Sequence, residues 1–312
     1  MTFDPVFKAL FRPGILPRME TRAAAGSRVA GASLAARTPP HVFFMVSALF
    51  HYLGPAFAVL LFAHIAPLGV AWLRIASAAA VFALWRSPWR YWRTLDASVR
   101  RTVIWLGIVL AAMNACFYLA IDRLPLSTVG AIEFLGPIAL AAAGMRTRRN
   151  FLALALGTAG VYLLTEVRIA GEALGFAFAF ANCALFVLYV VLGHRMARAG
   201  GATGIDRLGA SMLIAMVAAL PIGIRDAMPA FASPVLLAAA VGVGISSSVI
   251  PYVCDQLAMA RLPRATFALL LSLLPATATL IGVLVLRQVP SIPELLGVGF
   301  VIVGVGIHRE AR

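Results

Sequence analysis

Three charged side chains, Arg74, Glu133 and Asp255, lie inside apolar stretches of this 312-residue chain. A charge at the centre of a bilayer costs about 3 kcal/mol on insertion scales, so each is expected to have a partner or a function. Glu133 lies one helical turn before Pro137. Its carboxylate is suited to bind a substrate amine, to carry a coupling proton, or to balance Arg74. The planar guanidinium of Arg74 suits a two-pronged grip on a substrate carboxylate. Pairing with Glu133 and snorkelling to the interface are its structural alternatives. Asp255 falls near one end of its segment, facing either a site or water.

Neutral polar residues repeat the pattern. Asn114 and Tyr118 are four apart and share a helix face, as do Tyr252 and Gln256; Asn182 and Tyr189, seven apart, do likewise. His51 and Tyr52 add polar groups to the first segment. Singly, each suits an interhelical hydrogen bond. Drawn from several helices at once, they suit the lining of a cavity. The expected substrate-binding or coupling set is Glu133, Arg74, Asn114, Tyr118, Asn182, Tyr189, Tyr252, Asp255 and Gln256. No HExxH, GxSxG or P-loop pattern is present, so neither enzyme activity, a catalytic residue, a metal nor a cofactor is expected. Without a Walker lysine, the driving force is an ion gradient, exchange or downhill flux. Cys116, Cys183 and Cys254 have no CxxC spacing and read as small buried hydrophobes.

The elements that position these residues follow from composition. The chain is 62% hydrophobic and 12% charged, with mean hydropathy +0.95. Soluble domains carry about a quarter charged residues. The expectation is an all-α integral membrane protein with ten transmembrane helices. Their approximate spans are 42–63, 67–85, 101–121, 126–145, 150–165, 172–193, 207–224, 234–257, 264–286 and 293–308. Residues 1–41 form a basic tail, expected to be disordered and cytoplasmic. A weak signal peptide around Val29 to Ala36 and a start site upstream of the true one are its rivals.

The net charge of +14 comes from arginine clusters between apolar segments. With the N-terminus in the cytoplasm, inside regions hold 21 Lys or Arg and outside loops hold 4: Arg123, Arg168, Arg225 and Arg287. This asymmetry places both termini in the cytoplasm. It also accounts for the basic charge through membrane lipid and topology rather than nucleic acid, for which no motif appears.

Cys116 to Pro125 matches Cys254 to Pro263 at an offset of 138 residues, and the register continues. Thr128 pairs with Thr266, Leu135 with Leu273, Pro137 with Pro275, and Gly144 with Gly282. Five helices separate the copies, so they cross the membrane in opposite senses. Two inverted five-helix repeats, 42–165 and 172–308, are therefore expected, as in secondary transporters. Pro55, Pro137, Pro251 and Pro275 lie within helices and act as gating breaks or as plain kinks. Gly297, Gly299, Gly304 and Gly306 suit close helix packing, or a homodimer seam.

Asn114 to Gly144, with Ile132-Glu133-Phe134 and Gly136-Pro137, resembles the drug/metabolite transporter superfamily. Tyr252 to Pro275, with Arg261-Leu262-Pro263 and Thr266-Phe267, resembles its second EamA-type repeat, and the whole is similar to the threonine/homoserine exporter branch. The resemblance covers about residues 42–308. It implies two EamA domains around a central cavity, and export of amino acids or related metabolites across the bacterial inner membrane. By position, Asn114, Glu133 and Asp255 match polar positions of that branch. Where the branch often has an acid before the second-repeat proline, this chain has Leu274, which implies a difference in substrate choice or coupling. Export of multiple drugs or lipophilic cations on the same scaffold is the alternative, with a non-transporting membrane protein behind it.

Overall fold

The computed structural model describes residues 38–92, 95–136, 147–166, 169–197, 201–262 and 274–307. The basic tail through Arg37 lies outside the described residues. So do Arg168, Pro137 and Gly144 in the first half, and Pro263, Thr266 and Leu273 in the second.

Every expected apolar segment contains helix. The elements are α1 (Pro40–Leu61), α2 (Pro67–Arg86), α3 (Ala97–Ile121), α4 (Leu126–Glu133), α5 (Arg148–Glu166), α6 (Ile169–Ala197) and α7 (Gly201–Phe231). α8 is composite: Pro234–Gly244, a π-turn over Ile245–Val249, then Ile250–Met259. α9 (Leu274–Leu286) and α10 (Ile292–Ile307) complete the set. Among the described residues, six helices are long and apolar enough to cross a membrane, and two shorter apolar ones follow. Prolines at their first or second positions start α1, α2 and α8, where the missing N–H has no helical acceptor anyway. Leu60, Trp105, Val217 and Leu284 are more than half exposed or far beyond. Such side chains on long apolar helices suit lipid rather than water. The protein is a multi-pass membrane protein.

Several boundaries differ from expectation, most of all those of α7, which begins at Gly201 rather than at 207. The seventh segment, expected to end at 224 with Arg225 in a loop, continues as α7 to Phe231 and contains Pro221 and Pro229. Two prolines and an Arg-Asp pair signal a loop locally, but packing on α2 overrides them. Gly223 lies against Trp72, and Gly69 lies against the backbone of Asp226 and Ala227. Trp72 Nε1 also donates to Met216 O at 3.2 Å.

Packing partners recur five helices on. α2 lies along α7, and α5 along α10. α3 packs on α6 as α8 packs on α1; α3 meets α7 as α8 meets α2; α4 meets α6 as α9 meets α1. The recurrence reaches individual residues. A Cβ placed on Gly107 of α3 would lie 2.8 Å from Ser211 O of α7. One placed on Gly244 of α8 would lie 2.9 Å from Arg74 O of α2. Both residues of the second pair stand 137 positions from their counterparts in the first (107 and 244; 74 and 211).

The tightest approach involves Gly54 of α1, where a Cβ would lie 2.6 Å from Ser247 Cα. Gly54→Ala is therefore expected to push α1 from the π-turn and cost about 1–3 kcal/mol. A lower unfolding temperature in detergent is the readout. Gly242→Ala, which meets nothing within 4 Å, is expected to leave that temperature in place.

Candidate functional site

Side chains from six helices converge on one cavity. It is lined by His51 and Pro55 of α1, Arg74 of α2, Asn114 of α3, Glu133 of α4, Asn182 and Tyr189 of α6, and Tyr252 of α8, with Met113, Phe117 and Phe186 completing the wall. Its free volume is about 20 Å³, room for about one water. The lining must move apart before a metabolite enters.

Glu133 is 2% exposed. Asn182 Nδ2 donates to its Oε1 at 3.0 Å, and Tyr52 Oη donates to its Oε2 at 3.3 Å. His51 Nε2 is 3.8 Å from the same Oε2. The carboxylate is thus held by neutral donors and one imidazole, while Asn182 Oδ1 has no partner among the described residues.

Arg74 is 5% exposed, and its partners come from the break in α8. Pro251 has no N–H to offer the carbonyl four residues earlier, that of Ser247. Arg74 Nη2 donates to that carbonyl at 2.6 Å, and Nε donates to Ser248 Oγ at 2.8 Å. The guanidinium carbon lies 5.5 Å from the Tyr118 ring centroid. Tyr118 Oη is close to Arg74 and Ser247, yet outside hydrogen-bond geometry to any described partner. No carboxylate lies within 4 Å of Arg74 among the described residues. Arg74 and Glu133 therefore face one cavity without forming an ion pair.

Of the expected set, Arg74, Asn114, Glu133, Asn182, Tyr189, Tyr252 and Pro55 meet at the cavity, and Tyr118 sits behind Arg74. Asn114 Nδ2 donates to Leu110 O on its own helix at 2.7 Å. Tyr189 and Tyr252 lie with ring centroids 5.5 Å apart, and Tyr189 also packs on Phe186. Asp255 and Gln256 do not line the cavity. Asp255 is 8% exposed rather than water-facing, and accepts a short hydrogen bond from Ser47 Oγ of α1. Gln256 is buried with Oε1 unpartnered among the described residues. Pro251 makes the α8 break, and Pro275 opens the described part of α9 away from the cavity.

Ser47, Ser247 and Ser248 were not singled out by sequence. The run Ser246-Ser247-Ser248 before Pro251, in an otherwise apolar stretch, is the signal that would have found two of them. A second recess, of about 370 Å³, lies between the α3–α4 and α9–α10 loops, lined by Asp122, Arg123, Ser127, Gln288 and Glu294 among others. There Gln288 Oε1 accepts from Leu126 N at 3.1 Å. This caps α4, whose N-cap residue Pro125 has no side-chain acceptor.

A multi-pass helical protein with opposite charges buried around one small cavity has the build of a transporter. Residues 173–308 match the EamA-like transporter family. The threonine/homoserine exporter RhtA of Escherichia coli (strain K12) is 30% identical over 256 residues, covering 80% of this chain and 84% of that one. RhtA of Salmonella typhimurium (strain LT2) is 30% identical over 242 residues, covering 75% and 79%. One solved crystal structure, 18% identical, shares the fold with a TM-score of 0.54 over 86% of this chain and 95% of the other. The chain belongs to the EamA-like transporter family.

Proposed function

We propose that this chain is a secondary transporter that exports small amino acids, such as threonine and homoserine, across the bacterial inner membrane. One observation carries the reading: Arg74 and Glu133 face the same cavity, each held by neutral partners rather than by the other. An α-amino acid brings a carboxylate and an ammonium on adjacent groups and adds no net charge. Its carboxylate takes the guanidinium N–H groups not engaged with α8, and its ammonium takes Glu133. Both are charge-assisted hydrogen bonds, which are roughly twice as strong as neutral ones. Asn114, Asn182, Tyr189 and Tyr252 shape the space between. The RhtA relatives support the substrate class.

Transport is by alternating access between two inverted halves, 42–165 and 172–308, of five membrane crossings each. The recurrence of helix packing five elements on supports this arrangement, as does a family match that begins at residue 173. Both termini are cytoplasmic. Pro55, Pro137, Pro251 and Pro275 are the points at which helices flex, and the recess beside Gln288 is the exit vestibule.

The test is efflux of radiolabelled homoserine and threonine from an export-deficient strain, beside growth on a toxic lipophilic cation. Expression is expected to raise amino-acid efflux several-fold, on the order of threefold or more, without cation resistance. Resistance without amino-acid efflux replaces this reading with a cation exporter.

A further inference from the structure

One imidazole lies beside the buried carboxylate of Glu133, and a second buried carboxylate, Asp255, is held by Ser47, one helical turn away on the same face of α1. His51 Nε2 lies 3.8 Å from Glu133 Oε2, and Asp255 lies within electrostatic reach of the same ring. Ser47, whose hydroxyl donates to Asp255, is four residues before His51 and therefore on the same face of α1. Nothing in substrate recognition requires Asp255, which does not line the cavity, or an imidazole beside Glu133. We propose that His51 is the proton relay of this exporter, passing a proton between Glu133 and Asp255 on each cycle. The proposal rests on the exporter reading above and identifies what drives it.

The positions are ordered along the molecule. Arg261 Nη1 donates to Thr38 O at 3.1 Å, which ties the end of α8 to the start of α1. Asp255 is six residues before Arg261, about 9 Å of helix. Ser47 faces Asp255, His51 lies one turn further along α1, and Glu133 follows on α4. In the proposed topology the Thr38 end is cytoplasmic. The path Glu133, His51, Asp255 thus leads inward, opposite to the exported solute.

The exchange balances. Protonated Glu133 gives its proton to Nε2 of the neutral imidazole. The imidazolium releases a proton from its other ring nitrogen toward the Asp255 carboxylate. Glu133 is left as the carboxylate that takes the substrate ammonium, so proton and substrate alternate on one group. Only N–H and O–H bonds change: Asp255 releases its proton to the cytoplasmic side, and a ring flip returns the N–H left on Nε2 to the starting tautomer. The other titratable or charged groups around the imidazole are Arg74 of α2, Tyr52 of α1, Tyr189 of α6 and Tyr252 of α8. Cys183 lies by Glu133, and Cys254 by Asp255. α9 brings no titratable side chain among its described residues. Arg74 is the competing cation, and its Nε and Nη2 are engaged with Ser247 and Ser248.

Proteoliposomes separate relay from packing. Labelled homoserine is followed in two modes: exchange against unlabelled homoserine at uniform pH, and uphill movement driven by an imposed pH gradient. Proton flux is read by an internal pH dye. Wild type is expected to do both, with proton flux that depends on homoserine. Asp255→Asn, which leaves the cavity wall unchanged, is expected to keep exchange within about threefold and to lose gradient-driven movement at least about tenfold. His51→Gln is expected to lose gradient-driven movement to the same degree. Unfolding curves confirm that both variants fold.

Gradient-driven movement that survives His51→Gln overturns the relay. So does equal loss of both modes in folded Asp255→Asn, since that marks a structural role for Asp255 rather than a proton-carrying one. Wild type that exchanges homoserine but ignores the gradient also overturns the relay, and leaves the exporter reading standing. Wild type that moves no homoserine in either mode sinks the exporter reading, and the relay with it.

Discussion

Glu133→Gln is expected to lose homoserine efflux about a hundredfold while the protein still inserts and folds. The lost charge-assisted bond to the substrate ammonium accounts for about 2.8 kcal/mol, a factor of about a hundred. Folding survives because Gln has the same size and the surroundings adapt. Tyr52 Oη still donates to the amide oxygen. Asn182, whose Oδ1 is unpartnered among the described residues, can turn that oxygen toward the new amide N–H. A carboxylate that merely balanced Arg74 would behave differently: each single neutral variant would destabilise, and the double variant would recover. The partners of the two charges are separate, so Arg74→Gln with Glu133→Gln is expected to recover neither efflux nor stability. Efflux and detergent unfolding temperature, measured on all three variants, decide between these accounts. Normal efflux by Glu133→Gln removes the carboxylate from the site.

Arg74→Lys is expected to fail despite keeping the charge. The guanidinium serves Ser248 Oγ and Ser247 O at the same time, and a lysine ammonium on a single stem cannot reproduce that fork. The Ser247 carbonyl, left without its helical donor by Pro251, then loses its replacement. An unsatisfied buried group of this kind costs about 1–3 kcal/mol. The expected result is a lower unfolding temperature together with homoserine efflux reduced on the order of a hundredfold, since the ligand carboxylate loses its planar partner. Wild-type efflux in Arg74→Lys would show that a point charge suffices, and would reduce Arg74 to a structural cation.

Most of the helical scaffold was legible because a bilayer permits few alternatives. An apolar run of about 20 residues must satisfy its own backbone, and a helix does so. The end of α7 was not legible: Arg225 and Pro229 read locally as a loop, and only contact with Trp72 and Gly69 shows why the helix continues. The charged residues of the site were legible for the converse reason, that a charge in lipid is conspicuous. Their partners were not. Tyr52 and Asn182 stand 81 and 49 residues from Glu133, and Ser248 stands 174 from Arg74. Periodicity within one helix carries no information about which neighbour faces it. Asp255 shows the same limit: its segment left a site and water both open, and only the contact with Ser47, 208 residues away, shows that it is buried. Pro251 signalled a break in α8, but that the freed carbonyl takes an arginine follows only from packing.

The central claim is that one cavity reads both charges of a zwitterion. Competition against homoserine exchange in proteoliposomes tests it most directly, using homoserine, its decarboxylated analogue 3-aminopropanol, its deaminated analogue 4-hydroxybutyrate, and a lipophilic cation. Each analogue leaves one buried charge of the site unanswered, so each is expected to compete at least about a hundredfold more weakly than homoserine itself. Competition by 3-aminopropanol or the lipophilic cation as strong as that by homoserine would contradict the account, because Glu133 alone would then define the site.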